Sequence, residues 1–464
     1  MVETSENEQD GQALDAAQEQ SQVGSLVRAA QKAVRKKDLD ALNSIIDGAH
    51  AADIADMVAL LAPDTRLEFI HLIGDNLSPD VFAELDEGVR AEVAGALETD
   101  TLVAAVQELE TDDAVFVLGE LDDADQKEIL DQIPESERLV LQRSLDYPEE
   151  SAGRLMRSDL VAVPPFWTIG QTIDYLRENE DLPDDFHEIL VVDPSYLPVG
   201  VVQLNKALRS ARPTKLVEVM DERLTLIPAN MDREDMARQF ERFNLVSAPV
   251  VEENGRLVGV VTADDVFEVI ADEAEEDILL LGGVGDEAVT DTVFAAARGR
   301  FNWLFVNLLT AILASLVISI YEASLQQMVA LAVLMPIVAS MGGNAGTQTL
   351  TITVRALATM DLMAVNAVRV IFREFSIALI NGLLFAVLMG LIGAYWFDNA
   401  VLGGVLAIAM IVNMLVAGLS GILIPIGLNK VGVDPALASS VFVTTITDVF
   451  GFFAFLGFAT WILI

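Results

Sequence analysis

The chain has 464 residues, no cysteine, three histidines, and 71 acids against 28 bases, for a formal net charge of −43. Without cysteine there are no disulfides, thiolate metal sites or cysteine nucleophiles, and the scattered His50, His71 and His187 make no imidazole cluster for a transition metal. So acidic a surface repels nucleic acid and anionic membrane alike, and no nucleic-acid partner is expected.

The charge is unevenly divided. Six acids and four bases lie from Phe301 onward, leaving 65 acids and 24 bases ahead of it. The length allows two to four domains, and an acidic soluble front is joined to a nearly neutral, apolar back. The front would attract divalent cations. With only seven lysines it also has the surface of a salt-adapted protein, and bulk charge does not separate these causes.

Residues 1–22 are polar and rich in Gln, Glu and Ser, which reads as a disordered acidic tail rather than a cleavable signal peptide and keeps the front half cytoplasmic. Residues 23–155 read as a helical N-terminal domain. In Asp53-Ile-Ala-Asp-Met-Val-Ala-Leu-Leu and Asp112-Asp113-Ala-Val-Phe-Val-Leu, apolar residues recur at three- and four-residue spacing. Related units return at helix–turn–helix length, as in a small superhelical α-solenoid, although an ordinary bundle fits the same pattern.

An internal repeat fills residues 156–270, with one copy over 156–210 and a second over 211–270. Each copy passes through a helix (near 168–178 and 233–243), a strand (Glu188–Asp193; Ala248–Glu252), a second strand (Pro198–Val202; Leu257–Val261) and a closing helix. This α/β unit resembles a CBS domain, and two copies would form a tandem pair. Thr262-Ala-Asp-Asp265 matches the Thr/Ser-x-x-Asp that holds a nucleotide ribose in that family, whereas the first copy has Gln203-Leu-Asn-Lys206. The resemblance therefore implies at most one nucleotide site, at Thr262 and Asp265, with ATP as the expected ligand; a purely structural pair is the other reading.

Residues 271–300 form a connector: an acidic helix, a break at Gly282-Gly283 and Gly285, then a helix leading to Arg298 and Arg300. Five apolar spans follow, over 302–321, 327–356, 374–397, 400–427 and 435–463, each long enough to cross a bilayer. Lys and Arg flank the first span and fill the second–third and fourth–fifth loops, while the other two loops carry none. By the positive-inside rule the N-terminus is cytoplasmic and the C-terminus outside, in the plasma (inner) membrane. The whole is a multidomain membrane protein ending in a five-helix all-α transmembrane domain over 301–464.

Asp448 lies near the middle of the last span with no base in that span to neutralise it. A charge at that depth costs roughly 3 kcal/mol or more and normally faces a protein interior or a wet path. Ser440, Thr444 and Asp448 stand four residues apart on one helix face, with Ser439, Thr445 and Thr447 alongside. The second span is interrupted, on this reading, by Gly342-Gly343-Asn344-Ala345-Gly346-Thr347-Gln348-Thr349, whose freed backbone oxygens would suit a hard cation. Asp434, 14 residues before Asp448, would share its face about four turns away, either at the cytoplasmic mouth or simply as a helix cap.

Taken together, Tyr147-Pro-Glu-Glu-Ser-Ala-Gly-Arg-Leu-Met156, the repeat, Gly342-Gly-Asn-Ala-Gly-Thr-Gln348 and Asp434-Pro-Ala…Thr444-Thr-Ile-Thr-Asp448 resemble, in this order, the MgtE family of magnesium channels. The resemblance implies a homodimer with a pore between subunits, lined by the second and fifth spans, with Asp448 as the central carboxylate holding hydrated Mg²⁺. Gly343, Asn344 and Thr351 match further pore positions. Thr347 and Ser440 stand where close relatives often carry Asn, which bears on selectivity and conductance. The resemblance further implies that Asp265, Glu268, Glu273, Glu276 and Asp277 bind cytosolic Mg²⁺, with Asp264, Asp272 and Glu275 adding charge and Asp112 and Asp113 supplying the helical domain's share. A divalent ion would relieve repulsion between these acids and favour a closed form.

Enzymes fare poorly. There is no G-x-x-x-x-G-K-[ST] for ATP-driven pumping. Gly283-Val-Gly-Asp286 spells the G-x-G-D of intramembrane aspartyl proteases but lies ahead of the first span, and His187-Glu188 lacks the second His of H-E-x-x-H. The remaining rivals are a channel for Co²⁺, Ni²⁺ or Mn²⁺, disfavoured by scarce His and absent Cys, and a membrane-anchored Mg²⁺ or nucleotide sensor without transport.

Overall fold

A computed structural model of the chain describes residues 22–179, 182–183, 186–284, 293–438 and 440–463. The acidic tail through residue 21, the break at Gly285, the end of the Gly283–Asp286 string and Ser439 lie outside the described residues. The chain divides into two compact units, residues 1–271 and 272–464.

The first unit begins with short helices in series, from one over residues 22–36 to Glu135–Leu145. Their starts are written in the sequence. Asp38 and Asp122 accept N-terminal backbone N–H groups, and Pro63 opens another helix where its missing N–H costs nothing. A leucine or isoleucine recurs every 12 residues from Leu61 through Ile73, Leu85, Leu97, Leu109, Leu121 and Ile133 to Leu145, at or just past a helix end, and all pack into one core. Two buried arginines sit at matching places in this repeat. Arg66 donates to the carbonyls of Ala59 and Leu61, Arg90 to those of Ala83 and Leu85, so each caps carbonyls seven and five residues behind it. Glu92 and Glu120 neutralise them. This is the superhelical domain, its helix ends satisfied by long cationic side chains.

Two three-stranded sheets follow. In the first, β1 (Ala162–Val163) runs parallel to β2 (Glu188–Val192), which pairs antiparallel with β3 (Pro198–Gln203). In the second, β4 (Ile227–Pro228) is parallel to β5 (Ser247–Val251), itself antiparallel to β6 (Leu257–Thr262). Each carries a register shift at the matching place, between Val191 and Val192 and between Val250 and Val251. The repeat is thus real down to its irregularity. The copies also exchange their leading segments. Arg157 bridges to Val260 of the second sheet and Asp221 to Val201 of the first. Met156 fills the space beside Gly259, and Met220 that beside Gly200.

The last strand runs into one 20-residue helix, Ala263–Gly282, with no Gly or Pro to break it before its end. The closing helix of the second copy and the start of the connector, expected to part at residue 270, are therefore one element.

Among its described residues the second unit contains five helices long and apolar enough to cross a membrane: Ala296–Ile320, Val329–Ala358, Ala367–Trp396, Ala400–Lys430 and Val441–Leu463. The fourth is central, packing against the second, third and fifth around Leu334, Leu406, Met410 and Phe455. The second span is not interrupted. Its helix runs unbroken from Val329 to Ala358 through the glycine-rich motif. Those glycines serve close approach instead: a Cβ at Gly346 would meet Val443 Cγ1 at 2.5 Å, and one at Gly421 would meet the Gly346 carbonyl at 2.7 Å. Between membrane helices, where lipid is as apolar as leucine, such contact is a main source of association.

Candidate functional site

Chemistry-bearing groups gather in three places, two in the first unit and one in the second. The first is built around Arg157. Its backbone pairs with Val260, which delivers the side chain to the end of β6 and the start of the Ala263–Gly282 helix. The guanidinium there reaches Glu110 at 2.6 Å, Asp112 and Asp264 at 3.0 Å, and Asp265 at 2.8 Å. Glu110, Asp112 and Asp113 belong to the N-terminal end of the Thr111–Gly119 helix, where acids are favoured. Beside them Ser158 Oγ donates to Thr111 Oγ1, which donates to Asp159.

One Arg157 cannot balance these acids. Asp112 is only 8% exposed, and its Oδ1 has no hydrogen-bond partner among the described residues. Burial, then the Asp265 charge, push its carboxyl up to about 8 despite Arg157. Burial and Glu110 push Asp113 up to about 6, and burial raises Glu110 as well. One oxygen from each of Glu110, Asp112 and Asp113 lies within 4.8 Å of the others, a hard-oxygen set of the kind Mg²⁺ or Ca²⁺ accepts.

Next to this junction is a cleft of about 80 Å³ lined by Glu110, Arg157, Asp159, His187, Glu188, Ser247, Thr262 and Asp264. Ligand pockets usually measure about 300–1,000 Å³. The expected ribose acceptor is already engaged: Thr262 Oγ1 donates to Asp265 Oδ2 at 2.6 Å while Arg157 holds Oδ1. Glu268 is exposed on the same helix.

Asp272, exposed, and Glu273, Glu276 and Asp277, partly buried, continue that helix into the second unit. One turn on, Leu280 is buried with Leu350 and Val354 of the second span and Val443 of the fifth. Within the second unit, the end of this helix is thereby packed against both spans.

Within the membrane part, a Cβ at Gly343 would lie 3.3 Å from Thr444 Cγ2, and one at Gly346 would lie 3.6 Å from Thr447 Cγ2. The glycine motif and the threonines preceding Asp448 are therefore neighbours. Asp448 is half-buried. Ser340, Asn344, Gln348 and Thr351 are all exposed on one face of the second span, an uncovered polar line along a membrane helix. Thr347, Thr351 and Thr444 donate to carbonyls of their own helices (Gly343, Thr347 and Val441), leaving their oxygens as acceptors. Ser440 opens the fifth span's helix, and its side chain lies outside the described residues. Asp434 is exposed and accepts from Ala436 N at 2.8 Å ahead of a separate 3-10 turn, Ala436–Ala438. It caps that turn, and the shared face with Asp448 expected of one unbroken helix does not apply.

Sequence reading missed four groups that matter here: Arg157, Glu110, Asn413 and Glu374. Arg157 follows the Tyr147–Met156 motif directly, but its partners lie 45 or more residues away and only tertiary structure joins them. Asn413, buried mid-way along the fourth span, could have been found by the argument that singled out Asp448, a polar group deep in an apolar helix, whereas Glu374 is buried near the start of the third beside Arg373.

Family models match over three stretches: a divalent cation transporter model over residues 335–458, an MgtE intracellular N domain model over 49–150, and a CBS domain model over 216–272. A magnesium transporter MgtE of Bacillus subtilis is 32% identical over 418 residues, covering 90% of this chain and 93% of that protein. A magnesium transporter MgtE of Thermus thermophilus is 34% identical over 320 residues, covering 68% of this chain and 70% of that one. Among solved structures, the cytosolic domain of the Mg²⁺ channel MgtE in complex with ATP is 27% identical, covers 52% of this chain and 99% of that one, and has a TM-score of 0.49. With the motifs in order, five membrane helices in place and a relative aligned over nine-tenths of both sequences, this chain belongs to the MgtE family of magnesium transporters.

Proposed function

We propose that the protein is a homodimeric, Mg²⁺-selective channel of the plasma membrane, with its N-terminus cytoplasmic and its ion path lined by the second and fifth spans of both copies. The observation that carries this reading is the uncovered polar face of the second span, Ser340, Asn344, Gln348 and Thr351, beside the helix that holds Asp448. Such a face is costly against lipid, and a second copy would cover it around water. Asp448 supplies the central charge. Gly343, Asn344, Thr347, Thr351, Ser440 and Thr444 flank it, and Asp434 stands nearer the cytoplasmic mouth. Threonine oxygens left as acceptors suit a cation that keeps its water, because the ion's waters donate outward. No fuel is required: a 2+ ion moving inward gains about 4.6 kcal/mol per 100 mV.

The acidic front gates this path. Cytosolic Mg²⁺ binds at Glu110, Asp112 and Asp113 and at Asp265, Glu268, Asp272, Glu273, Glu276 and Asp277, relieving repulsion and favouring the closed form. Residues 23–155 act as the sensing domain, 156–270 as the CBS pair and 271–300 as the plug. ATP binds at Thr262 and Asp265 only by exchanging the hydrogen bonds these residues now make, so it competes with Arg157 for Asp265.

The test is Mg²⁺ flux into proteoliposomes for wild type and Asp448→Ala, with cytosolic-side Mg²⁺ varied. Flux that vanishes in the variant and falls as Mg²⁺ rises supports path and gate. Equal flux in both, or none in either with verified folding, removes the channel reading.

A further inference from the structure

Asn413 sits mid-way along the fourth span, 1% exposed in a helix otherwise made of apolar and small residues around it. Its Nδ2 donates to the Val338 carbonyl of the second span at 2.7 Å. A carbonyl can accept only from the amide NH₂, so this bond fixes the orientation of the side chain. Oδ1 then points away from Val338 and has no hydrogen-bond partner among the described residues. Two glycines make room for the amide. A Cβ at Gly342 would come within 2.3 Å of Nδ2, and one at Gly451 within 2.8 Å of Oδ1.

These neighbours are not arbitrary. Gly342 immediately precedes Gly343 and Asn344, and Gly451 lies three residues beyond Asp448 on the fifth span. Asn413 is therefore wedged between the second and fifth spans at the level of the intramembrane carboxylate, although it belongs to neither. Apolar packing between membrane helices has little preference for one register over another. A buried amide does: sliding the fourth span would strip its hydrogen bond in a medium with no water to replace it.

We propose that Asn413 is a positioning residue for the ion path, a polar wedge that sets the separation of the second and fifth spans around Asp448 and with it which divalent cation passes. The inference rests on the reading that these two spans line the path. Asn413 itself need not touch the ion, which is why its effect belongs to discrimination: selectivity among hydrated cations depends on distances held to fractions of an ångström.

A reciprocal volume exchange tests this. Full-length wild type, Asn413→Ala, Gly342→Ala and the Asn413→Ala/Gly342→Ala pair are reconstituted, and Mg²⁺ and Ca²⁺ fluxes are measured on material of matched elution volume. Each single change should lower the Mg²⁺-to-Ca²⁺ flux ratio by about 3- to 15-fold, the factor by which one interhelical hydrogen bond shifts a two-state equilibrium. The double variant should recover at least half of the ratio, because the new methyl occupies space the amide has left. An unchanged ratio in Asn413→Ala, or a double variant no better than the worse single one, overturns the proposal. If Asn413→Ala yields no folded protein, Asn413→Ser with and without Gly342→Ala is read the same way. Asp448→Ala keeps the two claims apart. Wild-type flux in that variant refutes the path itself, whereas lost flux there with an unchanged ratio in Asn413→Ala refutes only the positioning role.

Discussion

The Arg157 junction and the Asn413 wedge solve opposite problems. Around Arg157 there are too many charges: Glu110, Asp112, Asp264 and Asp265 share one guanidinium, and Asp113 stands beside them. Around Asn413 there is almost nothing polar, and one amide finds one carbonyl. Where acids are abundant, a single carboxylate says little about function and only the cluster is informative. Where polar groups are scarce, each one must be explained. The same carboxylate is ordinary exposed surface at Asp123 and a functional candidate at Asp448.

The sharpest way to break this contrast is at Asp448. Asp448→Asn keeps the size and most hydrogen-bonding capacity and removes only the charge. If scarcity signals function, Mg²⁺ flux in proteoliposomes falls by at least about two orders of magnitude, comparable to removing a preorganised charge from a dry site. Flux within a factor of two of wild type would mean the carboxyl is merely a buried, satisfied group.

The next effect lies at the junction. Arg157→Gln leaves five carboxylates together without their counter-charge. In metal-free buffer, amide exchange in the Thr111–Gly119 helix of the full-length protein should quicken by at least about 10-fold, as expected when a buried charge loses its partner. Millimolar Mg²⁺ should restore protection by doing what the guanidinium did. Exchange that stays slow without Mg²⁺ would show that Arg157 is a bystander. A smaller loss is expected from Gly346→Val, which forces a side chain into the space of Val443 Cγ1. Overpacking of this kind costs about 1–3 kcal/mol, read as a lower thermal midpoint of the detergent-solubilised protein with both ends of the pH range affected equally.

Much of this architecture was legible in the sequence, and the failures share a cause. Local patterns were readable: apolar spacing in the short helices, the doubled helix-strand-strand-helix unit, and the five long apolar spans all became elements of the expected type. The 12-residue return of Leu61, Ile73 and Leu85 was there to be read as well, but the stretches between are too varied in composition to advertise it. What the sequence hid was partnership across distance. No local signal says that Met156-Arg157 crosses to the second sheet and Met220-Asp221 to the first. The glycines of the second span misled for the same reason. Taken alone they suggest broken backbone, and only Asn413, Val443 and Gly421 opposite them show that they exist for close packing. Of the polar groups deep in the membrane helices, Asp448 stood out by its charge, whereas the uncharged Asn413 drew no notice although the same argument covers it.

The finest test of the junction uses pH. Asp112 in the folded protein is pushed up to about 8 and Asp113 to about 6, both far above an ordinary aspartate: burial comes first, then Asp265, Asp113 and Glu110 around Asp112 and Glu110 and Asp265 around Asp113 oppose a further negative charge, while Arg157, joined at Asp113 by Arg90, only partly offsets them. An unfolded chain ionises the same groups near pH 4. Between those values the folded form therefore holds protons that the unfolded form has lost, and unfolding releases them. Stability must fall as pH rises, beginning above about 4 and levelling off once pH passes the Asp112 value of about 8. In metal-free buffer, exchange in the Thr111–Gly119 helix, corrected for intrinsic rates, should be slower at pH 6 than at pH 8.5. Asp112→Asn, which cannot ionise, should flatten the dependence. A helix more protected at pH 8.5 in the wild type would mean that Arg157 outweighs burial and holds Asp112 charged. The junction would then be a closed ion-pair network, with no unmet demand for a divalent cation.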